Sequence, residues 1–229
     1  VIKGVDGIAE IPATPAVSVT GGELVFKNTL TATGGSGSSA AAPAVEVTGG
    51  KATFEGAVTA TGGLQGQNTG ARTCEPAIKA TGGELDFKGS QEAQVELKLY
   101  GGLMVTGDAT LTHLLTGGLF YSKPDGVSST TGAAVSVEGS NVYKNAKLGN
   151  VNKLLADDHI FVNLDLDDKN NYYFTTSREA LSGWDVTIMY HEHDFKADKG
   201  YECVCGVSCD HPKYENGACT VCGKPCEHG

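Results

Sequence analysis

Sulfur is almost missing from the first 200 residues: of seven cysteines, only Cys74 lies before position 203. No disulfide framework spans that stretch, and a chain of 229 residues is long enough to rely on a buried core instead. Positive charge is in deficit too. Seventeen Lys and Arg stand against 27 Asp and Glu, a net charge of −10. That balance argues against nucleic acid as a partner, because phosphate must be met by basic groups. No apolar run approaches about 18 residues, so this segment inserts no helix into a membrane. The start, VIKGVDGIAEIP, lacks the pattern of a signal peptide. The abrupt start and stop lead to the expectation of a segment cut from a longer protein and monomeric within it.

Glycine, by contrast, is abundant at 32 residues, and small residues dominate the first 150 positions. Such a composition suits disorder, but strict apolar alternation argues for strands. Three stretches align without gaps: PAVSVTGGELVF (15–26), PAVEVTGGKATF (43–54) and PAIKATGGELDF (76–87). Looser copies follow at 96–105 and 133–144. LTATGG (30–35) and VTATGG (58–63) repeat at the 28-residue offset of the first two copies. Within a copy, Val17 and Val19, Val45 and Val47, and Ile78 and Ala80 point one way, while Ser18, Glu46 and Lys79 point the other. Leu24 and Phe26, Ala52 and Phe54, and Leu85 and Phe87 then resume the inward set. A glycine pair permits a bend between two strands. Three short strands per 28 residues, bent at glycine corners, predict one coil of a parallel β-solenoid over residues 1–147. A β-sandwich is the alternative, but it gives no reason for identity at equivalent corners.

The pattern VxVTGGxLxF(K)N at 17–28 resembles the GG- and FxxN-type repeats of right-handed β-helices in bacterial surface proteins. The resemblance covers about residues 10–145. It implies an all-β chain built on a right-handed parallel β-helix.

Insertions fall at one point of the repeat: SGSSAAAP (36–43), LQGQNTGARTCEP (64–76) and YSKPDGVSSTTG (121–132). Loops stacked at one corner form a shared surface, where repeat proteins commonly bind ligands. Gln65, Gln67, Asn68, Arg72, Tyr121 and Asp125 are its candidate ligand-binding residues, polar or aromatic groups that suit a glycan; the alternative is tolerated loop decoration that binds nothing. Cys74 reads as an incidental thiol, since only Arg72 and Glu75 stand near it in sequence. His113 occupies the inward position of Leu30 and Val58 and reads as a satisfied interior histidine or a register slip, rather than a catalytic base. Outward positions Ser18, Glu46, Lys79, Asp86, Lys98 and Ser136 show no clustered carboxylates or bases, so no catalytic residues are expected.

The period changes near residue 148. Two strands, 159–164 and 171–176, flank an acidic turn, and WDVTIMYHEHDF adds a third. Asp165, Asp167, Asp168 and Asn170 do not match a calcium loop, because Lys169 stands where a ligand belongs. This run resembles the segment ending many β-helical modules of Gram-positive surface proteins, which implies a β-hairpin cap over 148–190.

Residues 191–229 hold six cysteines and repeat at a 17-residue step: C205-G-V-S-C209-D-H211 matches C222-G-K-P-C226-E-H228. Cysteines phased with histidines suit structural zinc, with disulfides as the alternative. The expected ligands are Cys209, His211, Cys219 and Cys222 for one ion, and His191, His193, Cys203 and Cys205 for another; the 17-residue phase also allows Cys205 or Cys226 to join the Cys209 unit. The unit also resembles Cys/His repeats in large surface proteins of Firmicutes, giving a small zinc-ribbon-like tail. Together these resemblances imply a non-enzymatic, secreted cell-wall-associated module that is an adhesin toward glycans or a host surface protein, or a structural stalk. The alternatives are a carbohydrate-active β-helical enzyme and an architectural spacer.

Overall fold

A computed structural model describes residues 1–8, 11–66, 72–88, 96–113, 115–124, 127, 134–137, 155, 159–164, 172–173, 185–190, 192, 195, 197, 200, 214–216, 218–220 and 224. Strands dominate them. The first are β1 (Ile2–Lys3), β2 (Val17–Phe26), β3 (Leu30–Thr33), β4 (Val45–Phe54), β5 (Val58–Thr61), β6 (Leu64–Gln65) and β7 (Thr73–Cys74). Next come β8 (Ile78–Ala80), β9 (Glu84–Asp86), β10 (Leu97–Tyr100), β11 (Leu103–Val105), β12 (Thr110–Leu111), β13 (Leu119–Tyr121) and β14 (Val135–Val137). The last are β15 (His159–Asn163), β16 (Tyr172–Tyr173), β17 (Val186–Tyr190), β18 (Tyr214–Glu215) and β19 (Ala218–Cys219).

Because copies of the repeat share one alternation, like residues pair with like. In the seven-stranded sheet Val17 pairs with Val45, Val45 with Ile78, Ile78 with Leu103 and Leu103 with Val135, all in parallel. Its strand order is β12-β9-β4-β8-β11-β14, with β2 on the free edge of β4. Phe26, Phe54 and Phe87 stack beside this row, with ring centroids 5.1 Å apart at both steps. That distance is close to the spacing of neighbouring strands, which sets it. The eight-stranded sheet runs β1-β3-β5-β10-β13-β17-β15-β16. Its inward row joins Leu30, Val58 and Leu97. Side chains of both sheets meet in one core in which Val45, Val47, Ile78, Leu85, Leu99 and Phe120 are fully buried.

The expectation of a right-handed parallel β-helix is corrected by this architecture. The eight-stranded sheet is mixed: β17 runs antiparallel to β13 and β15, and β15 antiparallel to β16. β6 and β7 form a separate antiparallel pair inside the second insertion. Nor does a copy supply three short strands. β2 and β4 each run ten residues through their glycine pair. The corner expected there is an irregularity in register between Val19 and Glu23 instead. Gly22 and Gly50 both adopt φ +69°, so the bend is absorbed as a bulge inside one strand. A period of two specifies which face a residue takes. It does not specify whether the next strand joins parallel or antiparallel, and that choice fell to core packing.

The strands expected in the hairpin segment pack into the same core. Phe161 meets Phe120 edge to face at 6.1 Å, and Val186 is fully buried. Asp185 Oδ1 accepts hydrogen bonds from the Ser122 amide at 2.6 Å and the Ser122 hydroxyl at 2.9 Å. Thr187 Oγ1 donates to the Gly118 carbonyl at 2.9 Å. Residues 165–170, the acidic turn, lie outside the described residues. No helix among the described residues is long and apolar enough to cross a membrane.

Candidate functional site

The outward face of the eight-stranded sheet carries two rows set by register. Thr33 pairs with Thr61, Thr61 with Tyr100 and Tyr100 with Tyr121. Alongside, Thr31 pairs with Thr59, Thr59 with Lys98 and Lys98 with Leu119. All eight of these side chains are half-buried. Tyr100 and Tyr121 stack with centroids 4.7 Å apart and an interplanar angle of 8°. On the side away from Tyr121, Tyr100 neighbours Thr61, so the stack forms a ledge at the end of a row of threonines. Lys98 pairs with Glu96, and this bond, ahead of the nearby tyrosines, holds its ammonium pKa above the usual value.

Such a ledge can pack the apolar face of a ring on an aromatic while hydroxyls and an ammonium take its polar edge. Tyr121 was a sequence candidate. Tyr100 was missed, because only the parallel register of β10 and β13 brings it beside Tyr121. Gln65 lies in the neighbouring loop layer, where its Nε2 donates to the Ser39 carbonyl at 2.6 Å. There the first two insertions meet: Gly37 bridges to Gln65, and the Leu64 amide donates to Ser36 Oγ at 3.0 Å. Arg72 is half-buried one residue before β7. Gln67, Asn68 and Asp125 lie outside the described residues.

A second polar cluster sits on the seven-stranded sheet. Lys51 Nζ lies 2.9 Å from Glu84 Oε1 and 3.2 Å from Asp86 Oδ2. His113 Nδ1 lies 2.6 Å from Asp86 Oδ1, and Thr112 donates to Glu84. Pairing with Glu84 foremost, opposed by some desolvation, raises the Lys51 pKa. Two sequence readings are thereby corrected. Asp86 does belong to a cluster of charges, because β4 and β9 place Lys51 opposite Glu84. For His113 the interior alternative is overturned, since its side chain is 38% exposed, and the register slip describes the chain there. The chain bends after Leu111, so the alternation that would have turned residue 113 inward is not carried past β12.

Cys74 fits its reading as an incidental thiol by geometry. It is 5% exposed, and its Sγ points at the Glu75 carbonyl, 3.3 Å away. Burial, and then the charge of Glu75, push its pKa up to about 12. At pH 8 that leaves roughly a thousandfold less thiolate than an ordinary cysteine has, and thiolate is the reacting form. Iodoacetamide labelling read by peptide mapping is expected to leave Cys74 unmodified in the native protein while denatured protein labels fully. Rapid native labelling at this peptide would contradict the burial.

Of the expected zinc ligands, only Cys219 is described. It is buried on β19, which pairs with β18 around a turn where Asn216 adopts φ 51°. His191, His193, Cys203, Cys205, Cys209, His211 and Cys222 lie outside the described residues. Among the described residues, no three His, Cys, Asp or Glu side chains are placed to share a metal ion. Comparison with family models, with curated proteins and with solved structures finds no match to this chain.

Proposed function

We propose that this chain is a non-enzymatic, glycan-directed binding module of a secreted bacterial cell-surface protein. The observation that carries the reading is the Tyr100–Tyr121 stack rising beside four threonines on an outward sheet face. The repeat resemblance supplies the setting, an extracellular, cell-wall-associated protein in which this segment acts as a monomer within a longer chain. The Cys/His tail, with structural zinc, serves as a stalk or linker. A glycan array probed with the chain tests the proposal. Tyr100→Ala is expected to weaken the best binder tenfold or more, as loss of about 1.4 kcal/mol of stacking would. Tyr121→Ala should follow it. An empty array would favour the architectural spacer, and a Tyr100→Ala variant binding as well as the native chain would remove the ledge from the account.

A carbohydrate-active enzyme is the second reading, favoured by the Lys51–Glu84–Asp86–His113 cluster. Carboxylates beside an oriented imidazole are the groups that acid–base chemistry employs. Here Lys51 bridges Glu84 and Asp86, an arrangement that suits a structural ion network better. Release of reducing sugar from polysaccharide, abolished by Asp86→Asn, would reverse that preference.

A further inference from the structure

Glycine pairs in the seven-stranded sheet are pressed against the rung beside them. A Cβ on Gly49 would lie 2.6 Å from the Thr20 carbonyl oxygen, and one on Gly82 2.6 Å from that of Thr48. On Gly50 it would lie 2.4 Å from the Gly22 oxygen, and on Gly83 2.5 Å from the Gly50 oxygen. Real side chains do not approach backbone so closely, so these positions require glycine because a neighbouring strand occupies the space. Gly21 and Gly22 form the same bulge, yet nothing lies within 4 Å of a Cβ at either. The φ of +69° accounts for Gly22. Gly21 has no positive φ, and among the described residues it has no neighbour that accounts for a glycine there.

The same edge is open in two other respects. Leu24 is 38% exposed, although Ala52 and Leu85 in its row are fully buried. Among the described residues, β2 pairs with β4 alone, so one side of a ten-residue strand has no partner strand. Long apolar edges of this kind template added strands.

We infer that the free edge of β2 is a docking site for one more strand of the repeat pattern, Val-x-Val-Thr-Gly-Gly-x-(Leu/Ala)-x-Phe. Its glycine pair seats on Gly21 and Gly22, its aliphatic residue covers Leu24, and its phenylalanine extends the stack beyond Phe26. Backbone hydrogen bonds supply affinity and the alternate side chains supply specificity, as in other strand additions. The added strand runs parallel to β2, since every junction of this sheet is parallel. A second copy related by a two-fold axis would present its own β2 antiparallel, against that pattern.

Titration of the full ¹⁵N-labelled chain with the synthetic peptide PAVEVTGGKATF tests the inference. Saturable amide shifts centred on residues 17–26 are expected, with none from a scrambled peptide. Gly21→Val should keep the native spectrum, since a Cβ there meets nothing among the described residues, and should bind the peptide at least tenfold more weakly. Leu24→Lys is an independent variant with the same expected loss. A peptide N-methylated along the edge that faces β2 should also fail to bind. The inference is overturned if millimolar peptide shifts nothing, or if both variants bind normally. Self-association through β2 that the peptide does not compete would replace it with a dimer.

Discussion

Phe54→Ala is expected to cost about 3–5 kcal/mol of stability, the range for deleting a buried aromatic. Phe54 is 1% exposed and is sandwiched between Phe26 and Phe87, with interplanar angles of 7° and 14°. Removing it opens a cavity and unstacks two neighbours at once. Both are held at strand spacing by the backbone, so they cannot close over the gap. Phe26→Ala is the internal control. Phe26 is only partly buried and stacks on one side, so its loss should cost about half as much. Urea unfolding of the two variants measures both. A cost below about 1 kcal/mol for Phe54→Ala, or equal costs for the pair, would mean that the stack is incidental to the core.

Metal removal should produce the other large effect, on the proposal that the tail holds zinc. Units of about 17 residues are too small to fold by burial alone, so ion binding would provide their folding free energy, on the order of 10 kcal/mol per ion. A chelator is expected to unfold residues 191–229 while the β-sheet circular dichroism and the thermal transition of the two main sheets stay in place. Elemental analysis of protein purified without added metal should find about two equivalents of zinc, four ligands to each ion. Protein without metal, and without free thiols after denaturation, would show disulfides in place of the ions.

The rows of the core were legible because they depend on alternation alone. Val17, Val45 and Ile78 face inward in any parallel pairing of the copies, and Phe26, Phe54 and Phe87 follow at fixed steps. The candidate site was legible only in part. Tyr121 stood out as an aromatic at the start of an insertion, but its partner Tyr100 lies 21 residues earlier, and only the pairing of β10 with β13 brings them together. The charged cluster was hidden for the same reason. Lys51, Glu84, Asp86 and His113 look unrelated until β4 and β9 are laid side by side and the chain bends after Leu111.

By itself the sequence determined that the chain is built of strands and how side chains alternate along each of them. These are local consequences of a two-residue period and of backbone sterics. Strand direction, sheet membership and the meeting of outward side chains were decided only in the tertiary structure. β17 joins β13 antiparallel because burying Val186 and Phe161 against Phe120 closes the core, and no residue near β17 encodes that partner. The glycine pairs show the same division. Local sterics explain the positive φ of Gly22 and Gly50, whereas the need for glycine at 49 arises from the strand packed beside it, which is a property of the assembled sheet.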